Sequence, residues 1–299
     1  MGNLCKGSSR EKKSRNDSLI KIKTHNDSCY YKPRLNSSSL LCLDPEKKSF
    51  REEALDTKVI FKEGCMFAKL GPGLYIVIGG QDTSEAFIIH LMDKKVTNLP
   101  SAPYSMSFGQ LNKYKDRVYI TGALMSEGSL KTPAPPLYFD LKCKRWVELP
   151  PMPQQIALSG SYIVHTFLYL IGGFLNYTEN PYFFDSLIIF DIPAESWVQS
   201  EIKTPIRGSL PNCTVLPSSA ILIIGGYDPN DSVAFESNKV LLFDGKDFES
   251  CSDIPAEGNL KFLNDGLNLR TEIYLFSDDD ILFIYNIEND VWSFQNFLV

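Results

Sequence analysis

Apolar residues along this chain come in short unbroken runs and never at helical spacing. The runs LYIVIGG (74–80), RVYITG (117–122), FLYLIGG (167–173) and AILIIGG (220–226) are rich in Ile, Val, Leu and Tyr and end in glycine. Runs of this length and make-up, bounded by Gly and Pro, predict strands buried in β-structure. A second pattern follows them, clearest in residues 137–150, LYFDLKCKRWVELP. Residues 137–141 predict a strand, the polar 142–144 a turn, and 146–149 an outer strand that stops at Pro150. Asp140 and Trp146, six positions apart, serve as a ruler. It fits without a gap at Asp44 and Phe50, His90 and Val96, Asp191 and Trp197, and Asn286 and Trp292, and after losing two residues at Asp244 and Phe248. The six anchors, 44, 90, 140, 191, 244 and 286, are separated by between 42 and 53 residues. A self-similar period of this size is the mark of a repeat architecture.

Each unit carries four predicted strands. In the second unit they are 59–70, 74–80, 86–91 and 95–99, and the same order runs through units three to six. The first unit has 39–44 and 49–55, with 18–23 and 29–32 as candidates for its inner strands. A four-stranded twisted sheet cannot bury both faces alone, so such units pack radially and close into a ring. Glycine doublets suit the places where backbone turns near the axis without room for a side chain.

A glycine doublet after an apolar strand, a variable loop, an aromatic-Asp strand, a short turn and Trp together resemble the kelch repeat. The likeness rests on Gly79-Gly80, Gly172-Gly173 and Gly225-Gly226, and on Phe139-Asp140 with Trp146 and Phe190-Asp191 with Trp197. It covers roughly residues 39–297. It implies an all-β, kelch-type β-propeller with six four-stranded blades, the first degenerate. Gly122-Ala123, Ser277-Asp278 and Val96 depart from the pattern. Kelch proteins often carry a further domain that recruits ubiquitin ligases; about 38 residues precede the repeats here, so a stand-alone adaptor is expected.

Charge divides the chain. The formal net charge is -6, yet residues 1–24 hold seven Lys or Arg against Glu11 and Asp17, which leaves a basic arm on an acidic body. Residues 1–17, without hydrophobic periodicity, are expected to be a disordered arm, and 18–299 the propeller. Met1-Gly2 permits N-myristoylation and Cys5 a second acyl chain, although Lys6 stands where the acylation pattern wants Ser or Thr. With the basic run these would tether the arm to an anionic membrane surface. No apolar run reaches the ~20 residues of a spanning helix and no signal sequence is visible, so a cytoplasmic protein is expected, membrane-associated through its N-terminus. Seven scattered cysteines without a CxxC pair predict mostly reduced thiols, with Cys42 and Cys65 buried.

Little points to catalysis. His25, His90 and His165 are too separated for a metal cluster or a triad, and Asp278-Asp279-Asp280 reads better as a turn than as a cation site. No phosphate-binding loop, nucleophile elbow or zinc-protease motif is present, so no enzyme, metal or cofactor is expected. The alternative is a propeller enzyme acting on a small sugar or metabolite in the central channel, for which Arg207 and Glu236 are the available charged pair.

Binding is expected from three long loops between second and third strands, at 123–135, 174–185 and 227–238, which a ring would set side by side on one face. Phe174, Tyr177, Tyr182, Tyr227, Asp228, Phe235 and Glu236 are the candidate contact residues. Aromatics bury large area at low entropic cost, and the acidic setting favours a protein or basic peptide partner over nucleic acid. Phe183 and Phe184 abut the next predicted strand and can equally tuck inward.

Overall fold

The computed structural model describes residues 29–44, 47, 49–127, 130–176, 182–205, 211–226, 238–255, 267–269, 271–276 and 281–296. Described residues form strands and turns and no helix. Sheet I comprises Tyr30–Pro33, Ser39–Asp44 and Ser49–Ala54. Sheet II comprises Met66–Gly71, Leu74–Ile78, Ala86–His90 and Lys95–Asn98, and sheet III Gln110–Tyr114, Arg117–Thr121, Leu137–Asp140 and Arg145–Glu148. Sheet IV holds Gly160–Val164, Phe167–Ile171, Ser186–Asp191 and Ser196–Lys203. Asn212–Val215, Ile221–Ile224, Val240–Phe243 and Phe248–Ser250 make sheet V; Leu267–Leu269, Glu272–Phe276, Ile281–Asn286 and Val291–Asn296 make sheet VI. Every sheet is an antiparallel meander in chain order.

Side chains alternate along a strand, so each sheet offers one face to its predecessor and one to its successor. Sheet III shows both. Val118, Ile120, Leu137 and Phe139 pack on Met66, Ile76 and Ile78 of sheet II, whereas Tyr119 and Tyr138 pack on Leu168, Leu170, Ile188 and Phe190 of sheet IV. Sheets I and II share a core built on Tyr31, Leu40, Cys42, Tyr75 and Phe87. The IV–V core holds Leu187, Ile223 and Phe243, and the V–VI core Leu222, Ile224, Ile273 and Tyr285. A sheet covered on both faces needs continuous apolar strands, which is why Ile221–Ile224 is buried throughout.

Turn chemistry explains the ruler. Asp140 Oδ1 accepts the Cys143 and Lys142 amides at 2.7 and 2.9 Å, and Asp44, Asp191, Asp244 and Asn286 each accept a backbone amide two or three residues ahead. Four residues past the anchor, Lys94, Lys144, Glu195 and Asp290 take left-handed backbone, with φ of 53°, 51°, 48° and 51°. His90 departs from this scheme: its Nε2 meets Thr97 Oγ1 at 3.2 Å across the hairpin. The three tryptophans staple neighbouring units. Nε1 of Trp146, Trp197 and Trp292 donates to the carbonyl oxygens of Pro100, Pro150 and Ser252 at 2.9, 2.7 and 2.8 Å, each just beyond the preceding sheet's last strand. Such a bond contributes about 1 kcal/mol, against roughly 1.5–3 kcal/mol for one buried core side chain, so packing supplies the stability and the staple sets the angle.

The structure departs from the predicted pattern at several boundaries. The first strand of sheet II begins at Met66, not 59, and 59–64 runs as a connection. Sheet I includes Tyr30–Pro33 as expected of 29–32, while the candidate 18–23 lies outside the described residues. Within the predicted loops 123–135 and 174–185, Leu124–Glu127 pairs with Leu130–Pro133 and Phe174–Asn176 with Tyr182–Phe183.

Candidate interaction rim

Beyond the second strand of sheet III, Leu124–Glu127 pairs with Leu130–Pro133, and Met106–Ser107 adds a third strand on the other side of Leu124–Glu127. The register sets Leu124 against Pro133, Met125 against Thr132, Ser126 against Lys131 and Glu127 against Leu130. Met106–Ser107 belongs to the segment leading into sheet III, so the excursion is fastened to its own sheet's entry. Sheet IV repeats the arrangement with Phe174–Asn176 and Tyr182–Phe183. There Ala157 and Phe174 exchange both backbone hydrogen bonds, at 2.9 and 2.8 Å.

Glycine makes these junctions possible. Gly122 and Gly173 sit at φ of 65° and 99°, and a Cβ on them would lie 2.4 Å from Ser159 Oγ and 2.6 Å from the Ala157 carbonyl oxygen. The Leu158 amide donates to Gly122 O at 2.6 Å, which ties the entry of sheet IV to the end of a strand of sheet III. One apolar cluster then spans both excursions: Leu124 from the first, Ala157 and Leu158 from the entry segment, and Phe174 with Phe183 from the second. The rings of Phe174 and Phe183 lie 4.5 Å apart.

The predicted contact residues separate accordingly. Phe174 is 6% exposed and belongs to this cluster, so its ring orders the hairpin and is not presented outward. Phe184 is buried in the III–IV core, and Phe183 is half-buried. Tyr182 stands 64% exposed. Leu130, the first residue of the strand Leu130–Pro133 and absent from the predicted contacts, is 59% exposed. Its signal was an apolar residue between Gly128-Ser129 and Lys131. Asp185 receives Lys203 Nζ at 2.7 Å and is therefore partly neutralised. Tyr177, Tyr227, Asp228, Phe235 and Glu236 lie outside the described residues, as do Gly2, Cys5, Arg207 and Asp278-Asp279-Asp280. Among the described residues no group of three or more His, Cys, Asp or Glu side chains is placed to hold a metal ion.

No family model matches the chain, and no curated protein matches it in sequence. Among solved structures, that of YjhT superposes with a TM-score of 0.67 over 91% of this chain and 95% of that one, at 12% identity. YjhT is a β-propeller. This chain shares its fold. At that identity the likeness extends to architecture alone.

Thiol chemistry has little place in the molecule's interior. Burial pushes the Cys42 and Cys65 thiols up to about 12, so both stay protonated at neutral pH. Cys42 is buried as expected and Cys65 is half-buried.

Proposed function

We propose that the chain is a six-bladed propeller of kelch type, sheets I–VI being its blades, that acts as a non-enzymatic protein-binding module. Its contact surface is the rim raised by residues 123–135, 174–185 and 227–238. The observation that carries this reading is the fusion of the first two excursions into paired hairpins over one apolar cluster, with Leu130 and Tyr182 left outside it. A loop whose purpose is only to connect two strands has no need of its own sheet and core. Rigid hairpins present exposed apolar side chains at low entropic cost, which is what a binding surface requires. The acidic body favours a basic partner. The arm at residues 1–17 serves as a tether to the cytoplasmic leaflet.

The test compares the intact protein with Leu130→Ser/Tyr182→Ala and with a form whose three excursions are replaced by short Gly-Asn turns. All three must give the same β-rich circular dichroism. A partner bound stoichiometrically by the intact form, weakened about tenfold or more by the double substitution and lost with the excursions, supports the rim. A partner held equally by all three forms refutes it and directs attention to a small ligand in the central channel.

A further inference from the structure

The rim occupies the face where second strands pass to third strands. On the opposite face, where Tyr114 turns into Arg117 and Asp140 into Arg145, sheets III and IV part to leave a cleft of about 460 Å3. That volume falls in the roughly 300–1,000 Å3 range of small-molecule sites. Its lining breaks the repeat. The residue opposite the anchor is Leu74 in sheet II, Phe167 in sheet IV and Glu272 in sheet VI, but Arg117 in sheet III. Two positions before the anchor, the other sheets carry Cys42, Ile88, Ile189, Leu242 and Ile284, whereas sheet III carries Tyr138. Arg117 lies over the Tyr138 ring, its guanidinium carbon 4.5 Å from the centroid.

Tyr119 lies at the base of the cleft. Its side chain is fully buried, and its hydroxyl has no hydrogen-bond partner of ordinary geometry although the Arg117 guanidinium lies beside it. A buried hydroxyl left without an ordinary partner costs about 1–3 kcal/mol, so an oxyanion that enters beside Arg117 and accepts from it recovers that cost. Burial pushes the phenol up, which keeps it protonated and able to donate. Lys115 and Lys142 add two further cations. The acids facing them are engaged: Asp140 holds the turn amides, and Glu195 meets Arg117 through one contact at 3.3 Å between partly exposed groups. An exposed single-contact pair contributes about 0–1 kcal/mol, so a bidentate oxyanion displaces it readily. With Asp116 counted the cleft has no net charge, which suits one anionic group and not a polyanion.

We propose that this cleft binds a small molecule through one oxyanion, a phosphate or a carboxylate, held by the Arg117 guanidinium and the Tyr119 hydroxyl, with Ile192 and Pro193 against its apolar body. The site is separate from the rim and independent of any partner bound there.

Calorimetric titration of the full chain tests it, with inorganic phosphate and acetate as separate probes against sodium chloride at matched ionic strength. One saturable site in the millimolar range or tighter is expected for at least one probe, and the stronger of the two names the head group. Arg117→Met, which keeps the stem on Tyr138, weakens it about tenfold or more. Tyr119→Phe weakens it severalfold while leaving the melting temperature equal or higher, because an unmet hydroxyl has been removed. Val291→Ser, on the exposed outer strand of sheet VI, changes nothing. Absence of a saturable site for both probes, or wild-type affinity in Arg117→Met or in Tyr119→Phe, overturns the proposal.

Discussion

At the residue scale the anchor position has the clearest physical account. The Cys143 and Lys142 amides hold the Asp140 carboxyl below the ordinary aspartate range, with a further contribution from Arg145 across the hairpin. A carboxyl depressed in the folded state stabilises the fold above its unfolded value, about 3.9, and that stabilisation is lost as pH falls through the folded value. Asn286 makes the same turn without charge, its Oδ1 accepting the Asn289 amide at 2.9 Å. Asp140→Asn is therefore expected to lower the melting temperature slightly at pH 7, Asp140→Ala more, and the Asn deficit is expected to vanish in acid. Thermal melts between pH 7 and pH 3 check this; an Asn deficit that stays constant would mean the charge is irrelevant to the turn. This position was legible in the sequence because the turn it closes is local. Phe174 was not: an aromatic at the start of an excursion can point either way, and what buries it is Ala157, which is distant in sequence and adjacent only after folding.

At the scale of the element, the hairpins stand on close backbone approaches. A Cβ at Gly173 would meet the Ala157 carbonyl oxygen at 2.6 Å from a φ of 99°, whereas a Cβ at Gly71 would meet nothing within 4 Å. Gly173→Ala is accordingly expected to destabilise by about 2 kcal/mol or more, combining backbone strain with a displaced carbonyl. Gly71→Ala should be neutral or stabilising by up to about 1 kcal/mol. Urea titrations of the two variants separate these cases, and equal shifts would show that the doublet tolerates a side chain. The doublets were readable because a strand ending in two glycines announces a constrained turn. The pairing of Leu124–Glu127 with Leu130–Pro133 was hidden in the sequence, since the prolines of Thr132-Pro133-Ala134-Pro135-Pro136 read as loop and neither strand alternates apolar with polar residues.

For the whole molecule, the six-unit order could be read directly, since every unit carries its own turn and strand signals. The pairing of excursions with entry segments could not, because it joins stretches that are far apart in the chain. Charge is the other whole-molecule property: residues 1–24 are basic and the remainder acidic, a split that would favour the N-terminus over the body at an anionic surface. If Gly2 carries an acyl chain, Gly2→Ala should shift the protein from membrane to supernatant in a fractionation experiment, since the basic run alone is a weak anchor. An unchanged distribution removes the acyl anchor. The tryptophan staples add a directional property. Each reaches backward, from Trp146, Trp197 and Trp292 to a carbonyl just after the sheet before, and sheet V has Phe248 in that place with no donor to offer. During synthesis sheets II, III and V are thus latched only when their successors have left the ribosome, whereas the I–II joint, with Val96 in that place, and the IV–V joint, with Phe248, have no such indole. The molecule therefore carries two built-in seams, I–II and IV–V, where neighbouring sheets meet without an indole to hold them.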